Sequence, residues 1–465
     1  MGISYFKDKK VTVLGLGLHG GGVGIVKFLV NNGARVVVTD LKNKESLETS
    51  LLKLKGLKNV EYVLGQHRQE DFSKSDLIIK NPYVAWDSPH IKLALENNIP
   101  VEMDSSLFFR FCKNPIIGVT GTKGKTTVAS LIYEILKSAG KNPIKVGIGQ
   151  VSVLDKLDVL EKDSVVVFEL SSWRLSALKK EKKSPQIAVV TNILRDHLNY
   201  YKTMKDYIAD KENIFLFQNP NDWLVANDDD ERVKEFYSKA KSQILKFSLA
   251  PSKDGNYIFL ENKAIYLNNG VDVKKVMDIE EIKLPGRHNI YNVMAAIGAT
   301  HAFGIEVSEI KKAVANFSGI SHRLEFVKNF KEVKYYNDTT ATIPDAAISS
   351  LNCFQEPVVL IAGGEDKGLD FSAFGKEIVE KVKKLVLFKG SATEKLLAEI
   401  KKNDTGGKFS EVPIVDSMEK ALEAASQMAQ SGDIVLLSPG ATSFGLFLNE
   451  FDRGDKFKIA VEKLK

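Results

Sequence analysis

The feature that most narrows the fold is a recurring alternation. Short β-branched runs end in glycine or a polar turn, and each is followed by an amphipathic stretch with helical spacing. That is the pattern of parallel sheets with crossover helices, and it predicts an α/β protein. It restarts three times. The first series opens with VTVLGLG and continues through ARVVVTD and DLIIKNP. The second begins after FCKNP with IIGVTGT, SVVVFELSS, IAVVTNI and DWLVAND. The third follows the helical IYNVMAAIGATHAFG and contains VKYYND, PVVLIAGG, KLVLFKG and DIVLLSPG. Three domains are therefore expected, at 1–113, 114–319 and 320–465. Between Ser242 and Asn269, ILKFSL and YIFLENKAIYL around the turn-like ENK predict an antiparallel excursion on the edge of the middle sheet.

Composition removes several alternatives. With 44% hydrophobic and 27% charged residues over 465 positions, the chain is neither disordered, collagenous nor a coiled coil. Apolar runs such as Val165–Phe168 and Ile434–Leu437 fall far short of the ~18 residues of a membrane span, so no membrane insertion is expected. The opening MGISYFKDKKVTVLGLG lacks a signal-peptide core, which points to the cytoplasm. Cys112 and Cys353 are the only cysteines, excluding a disulfide framework and an all-cysteine zinc site. A bound metal would sit on oxygen or nitrogen. The charge of +6 comes from scattered lysines, the pattern of a solvated surface and not of a nucleic-acid face.

The strongest local motif is Gly118-Val-Thr-Gly-Thr-Lys-Gly-Lys-Thr-Thr127, which follows an apolar strand and precedes the helical VASLIYEILKSAG. Backbone N–H groups of Gly121, Thr122, Lys123 and Gly124, with those at the helix start through Thr127, form a cradle for phosphate oxygens. Lys125 adds positive charge, and Thr126 a hydroxyl suited to a metal ion. This is a P-loop, although Val119 stands where the strict form has its first glycine. A second glycine turn, Gly15-Leu-Gly17-Leu-His-Gly20, has Asp40 at the end of the next strand. Alone it is the dinucleotide fingerprint of an NAD-dependent oxidoreductase; a sugar nucleotide could use the same turn.

Other residues stand where ligands bind an open α/β sheet, at the carboxyl ends of strands. Glu169 closes SVVVFEL ahead of Ser171 and Ser172, and a carboxylate beside P-loop hydroxyls suits Mg2+. His197, in TNILRDH, follows a neighbouring strand as a metal or phosphate contact. Lys211 falls inside the apolar stripe of Met204, Tyr207 and Ile208, so its amine is expected to be desolvated and able to react with carbon dioxide as a carbamate. Asn289 and Asn292 lie one turn apart at a helix start, while Arg323 and Asp338 open the third domain. Amides suit a purine edge, arginine a phosphate and aspartate a ribose.

In this order, GLGLHGGGVG, TGTKGKTT, ELSSW, TNILRDH, LPGRHNIYN, HRLE, NDTTAT, GGEDKGLDF and SPGATSF…FDRGDKF resemble the Mur ligase family across nearly the whole chain. The resemblance is to the branch that adds D-glutamate to UDP-N-acetylmuramoyl-L-alanine. It implies a Rossmann-like N-terminal domain for the uridine diphosphate sugar, a central P-loop ATPase and a Rossmann-like C-terminal domain for the amino acid. ATP and Mg2+ would be the cofactors, and an acyl phosphate the intermediate. By position, Lys125 would bind the transferring phosphate, and Thr126, Glu169 and His197 magnesium, with Lys211 carbamylated. Asn289, Arg323 and Asp338 would hold ATP, Lys367 and Ser443 the glutamate, and Gly17, Asp40 and Ser171 the sugar substrate. A monomer that closes its domains over the site is expected. Departures from the family pattern are Thr340 for a lysine, Gly147 for an asparagine, Gly445 for an aspartate, and Asn449-Glu450-Phe451 for Asn-Phe-Glu. They leave an L-glutamate-adding variant as an alternative.

Overall fold

The computed structural model describes residues 2–18, 20–148, 152–194, 200–252 and 255–464. The chain forms two compact units, residues 1–278 with 291–314, and residues 279–290 with 315–465. The first unit holds two sheets and the second holds one. Strands Leu77–Lys80, Ile116–Thr120, Ile187–Val190, Val358–Gly363 and Ile434–Leu437 are buried at every residue. That burial on both faces explains why they read as continuous apolar runs.

The N-terminal sheet is wholly parallel, in the order Val60–Leu64, Arg35–Asp40, Lys10–Leu14, Leu77–Lys80, Val101–Glu102. Connections diverge between Lys10–Leu14 and Leu77–Lys80, which opens a crevice at their carboxyl ends. In the nine-stranded central sheet, Ile116–Thr120 lies between Ser164–Glu169 and Ile187–Val190. Its helix, Lys125–Ser138, buries Val128, Leu131, Ile132, Ile135 and Leu136 against the sheet. The two halves of this unit are joined by ionic contacts: Arg110 donates to Glu102 (2.8 Å) and Glu181 (3.0 Å), and Arg174 pairs with Asp104 (3.1 Å).

The central sheet's antiparallel edge starts later than the sequence suggested. Gln243–Ser248, which holds most of ILKFSL, runs parallel to both Trp223–Asn227 and Asn256–Glu261. Asn262 and Lys263, at φ +48° and +59°, make a tight two-residue turn that joins Asn256–Glu261 to an antiparallel Ala264–Asn269. A further antiparallel strand, Val273–Asp278, extends this edge. The second unit's sheet follows the order Glu325–Phe330, Val333–Asn337, Ile434–Leu437, Val358–Gly363, Val382–Phe388, Ile414–Val415, antiparallel only at its first pair. No helix among the described residues is long and apolar enough to cross a membrane.

Candidate active site

The phosphate loop is braced from the neighbouring strand. Thr122 N donates to Asn192 O (2.9 Å) and Lys123 N to Asn192 Oδ1 (2.9 Å), while Thr191 Oγ1 donates to Lys123 O (2.6 Å). Gly124 caps the helix at φ +86°, and a Cβ there would lie 2.3 Å from Asn292 Oδ1. The left-handed backbone and the close approach both require glycine. Lys123 is exposed, whereas Lys125, Thr126 and Thr127 are half-buried at the helix start. The loop therefore presents backbone N–H groups, a helix N-terminus and an ammonium together.

Lys211 is 1% exposed, as its place in the apolar stripe predicted. Its Nζ donates to Gly121 O (2.9 Å) and Thr120 Oγ1 (3.4 Å) and lies 4.8 Å from the Tyr207 ring centroid. Lys125 Nζ donates to the same Gly121 carbonyl (3.1 Å) and to Thr122 O (3.0 Å). Two lysine Nζ groups thus converge on one carbonyl of the phosphate loop. Tyr207 completes the link, its hydroxyl 3.0 Å from Thr122 Oγ1. Glu169 ends its strand half-buried, in register with Val119 on the strand that leads into the loop. Ser171 caps the next helix by accepting from Arg174 N (3.3 Å). His197 lies outside the described residues.

Gly147 has a local structural reason. Its φ is +80°, and a Cβ would stand 2.4 Å from the Glu169 carbonyl oxygen. Gly147→Asn is expected to cost about 1–3 kcal/mol in denaturant unfolding and to lower activity by displacing the Glu169 strand end. A variant with wild-type stability and turnover would show that this edge yields freely.

At the N-terminal crevice, Asp40 is 9% exposed and its oxygens accept from Gly17 N (3.1 Å) and Lys42 N (2.9 Å). The carboxylate fastens the glycine turn to the second strand. In the second unit, Asp338 is buried and accepts from Leu324 N (3.1 Å), Ser350 Oγ (2.5 Å) and Ser438 Oγ (2.8 Å). Burial pushes its carboxyl up to about 6, against the lowering effect of those donors. Arg323 is exposed, and Asn289 is buried with its amide on Pro285 O (2.6 Å). Lys367 is exposed and Ser443 buried, on loops joined by a bridge between Glu365 and Thr442. Thr340 Oγ1 donates to His322 O (2.8 Å).

Sequence reasoning missed several groups here. Arg453 is 1% exposed and ties Thr339 O (2.9 Å) to Ala441 O (3.4 Å); burial lowers its pKa to about 10, against the raising effect of the Glu450 carboxylate. Asp210, beside Lys211, accepts from Tyr201 OH (3.0 Å), and burial pushes it up to about 6. The spacing FDRG gave no sign of Arg453's burial. The signal for Asp210 was its place next to the lysine.

Fold and site together define a multidomain α/β protein of the phosphate-binding, P-loop class. The family model described as the Mur ligase middle domain matches residues 119–300. Those described as the glutamate ligase domain and the MurD-like N-terminal domain match residues 322–440 and 9–102. The chain belongs to the Mur ligase family, whose members are ATP-dependent amide-forming ligases. Curated relatives include the UDP-N-acetylmuramoylalanine–D-glutamate ligase of Roseiflexus sp. (strain RS-1), 39% identical over 98% of this chain and 98% of its own length. That of Borreliella afzelii (strain PKo) is 39% identical over 100% of both chains. Among solved structures, UDP-N-acetylmuramate-alanine ligase from Thermotoga maritima has a TM-score of 0.54 at 19% identity, covering 98% of this chain and 100% of its own. MurF from Acinetobacter baumannii has 0.56 at 16%, covering 100% and 93%. These two share the three-domain fold. The oxidoreductase alternative is not supported: the turn that suggested it lies in the segment matched to the MurD-like N-terminal domain.

Proposed function

We infer that this protein joins D-glutamate to UDP-N-acetylmuramoyl-L-alanine at the expense of ATP, in peptidoglycan precursor synthesis, acting as a cytoplasmic monomer. The observation that carries the reading is the convergence of Lys125 and Lys211 on the Gly121 carbonyl of the phosphate loop. A phosphate loop that brings two lysine Nζ groups to one carbonyl, beside a helix N-terminus, is arranged to receive an anion. A triphosphate end group held by the loop is such an anion. A carbamate on Lys211 would be another, turning one of the two cations into an anionic ligand.

The donor set fits ATP with magnesium. Gly121, Thr122, Lys123, Gly124 and Thr127 would line the phosphates and Lys125 would neutralise the transferring group, with Asn289, Arg323 and Asp338 toward the nucleoside. The Thr126 hydroxyl, in the first turn of the helix that follows the phosphate loop, and the Glu169 carboxylate, at the end of the adjacent strand, are hard oxygen ligands. Among the described residues no cluster of three or more His, Cys, Asp or Glu could hold a metal. A sparse protein ligand set is what Mg2+ accepts, since it keeps waters and phosphate oxygens. His197 and carbamylated Lys211 would complete the set. Bound there, magnesium would neutralise charge on the transferring oxygens.

In the reaction, the muramoyl-alanine carboxylate takes the γ-phosphoryl group of ATP and ADP leaves. The amine of glutamate then attacks the acyl phosphate, loses a proton and displaces inorganic phosphate, leaving an amide. The division of labour follows the segments: 1–113, with Gly17 and Asp40, for the sugar nucleotide; 114–319, with Ser171 near the acceptor, for ATP; and 320–465, with Lys367 and Ser443, for glutamate. Because Asp40 and Asp338 already hold backbone and serine donors, they would act by shaping their loops as much as by contact. The test is an assay of the full chain with ATP, UDP-N-acetylmuramoyl-L-alanine and a panel of D- and L-amino acids, reading ADP and product mass. Product with D-glutamate alone is expected. Product with L-glutamate alone would assign the variant chemistry, and no ADP with any pair would sink the reading.

A further inference from the structure

The loop after the fourth strand of the N-terminal sheet, residues 81–86, lies between two edges that matter to the reaction. On one side it is fastened to the glycine turn: Asn81 N donates to Leu14 O (2.8 Å) and Asn81 Nδ2 to Gly15 O (3.4 Å). On the other it meets the central sheet's edge. Trp86 Nε1 donates to Ser176 Oγ (2.8 Å), and Tyr83 packs on Trp173 with centroids 4.8 Å apart. Tyr200 OH donates to Val84 O (3.4 Å). Trp173 and Ser176 belong to the helix Ser172–Ser176, just beyond Glu169, and Tyr200 precedes the helix Met204–Glu212 that carries Lys211.

One buried group shapes this loop. Lys80 is 0% exposed; its Nζ donates to Val84 O (2.8 Å) and lies 4.5 Å from the Trp86 ring centroid. The same ammonium therefore holds both Val84 and Trp86, through which the loop reaches the central sheet. The charged groups that act on Lys80 are Asp104 and Asp210. Asp104 pairs with Arg174 (3.1 Å) and Asp210 accepts from Tyr201 (3.0 Å), so each carboxylate keeps a partner without it. Burial lowers the Lys80 amine to about 7, so an apolar replacement of similar length removes only part of a positive charge at neutral pH.

We propose that Lys80 is a positioning residue: by fixing residues 81–86 it sets the separation between the glycine turn and the phosphate loop, and so aligns the acceptor carboxylate with the transferring phosphoryl group. The proposal rests on the functional reading above. In-line transfer is sensitive to such placement, a misfit of about 1 Å costing about 10²-fold in rate.

The test compares full-length wild type with Lys80→Met, Lys80→Arg and Trp86→Phe, varying ATP, UDP-N-acetylmuramoyl-L-alanine and D-glutamate separately and recording melting curves. For Lys80→Met, kcat is expected to fall about 10- to 100-fold and KM for the sugar nucleotide to rise about tenfold, with KM for ATP changed by less than about twofold. Lys80→Arg should recover part of the loss. Trp86→Phe keeps the ring but not the bond to Ser176; it should show the same split more weakly, and it decides the matter if Lys80→Met does not fold. Unchanged kinetics, or a uniform loss that tracks melting temperature with no split between the two substrates, would overturn the proposal. An inactive wild type would overturn the functional reading and this proposal with it, whereas an active wild type matched by Lys80→Met overturns this proposal alone.

Discussion

Lys125→Ala is expected to lower ATP-dependent turnover by about 10²–10³-fold, the usual loss when one preorganised donor to a transition-state oxygen is removed. The side chain stands at the first position of its helix, where alanine is well tolerated, and its Nζ donates to the Gly121 and Thr122 carbonyls of the loop itself. Melting temperature should therefore change little while phosphate release collapses. Lys125→Arg should restore only part of the activity, because a planar guanidinium does not reproduce a compact point charge. Phosphate release at the wild-type rate in the alanine variant would remove the phosphate loop from the chemistry.

The second large effect is expected at Lys211. Lys211→Ala should lose about 10²-fold or more in kcat, since the residue touches the phosphate loop itself through Gly121 and Thr120. Short carboxylates added to the variant should restore part of that loss, by supplying the anionic oxygen that a carbamate would carry. Carbon-13 spectra of the wild type in labelled bicarbonate should show a carbamate signal that the variant lacks. A variant with full activity, or a wild type without the signal at saturating bicarbonate, would leave Lys211 as a purely structural cation.

Much of this was legible in the chain. The phosphate loop could be read because its glycine, lysine and hydroxyl positions are adjacent in sequence, and the burial of Lys211 because a helix places i+3, i+4 and i+7 neighbours on one face. What escaped was set by partners far apart in sequence. Lys80 reads as the polar end of an ordinary strand; only the fold folds its own loop and Trp86 back over it. Asp104 and Arg174, separated by 70 positions, carry no shared pattern. The strand Glu325–Phe330 was missed because its turn, Lys331-Glu332, adopts φ +51° and +61° without glycine or asparagine to announce it.

The passage of the chain between its two compact units has a practical outcome for anyone who would dissect the enzyme. Because residues 291–314 rejoin the first unit after 279–290 have entered the second, no single cut leaves both halves whole. Ending the chain at residue 278 would strip away the run Val293–Ile297, buried throughout, and the close seat of Gly298 against Val225, Leu245 and Ile258. The bared greasy face would invite clumping instead of yielding a tractable ATPase fragment. The chain crosses between the two units three times, so swapping either one between relatives calls for matched junctions at all three crossings.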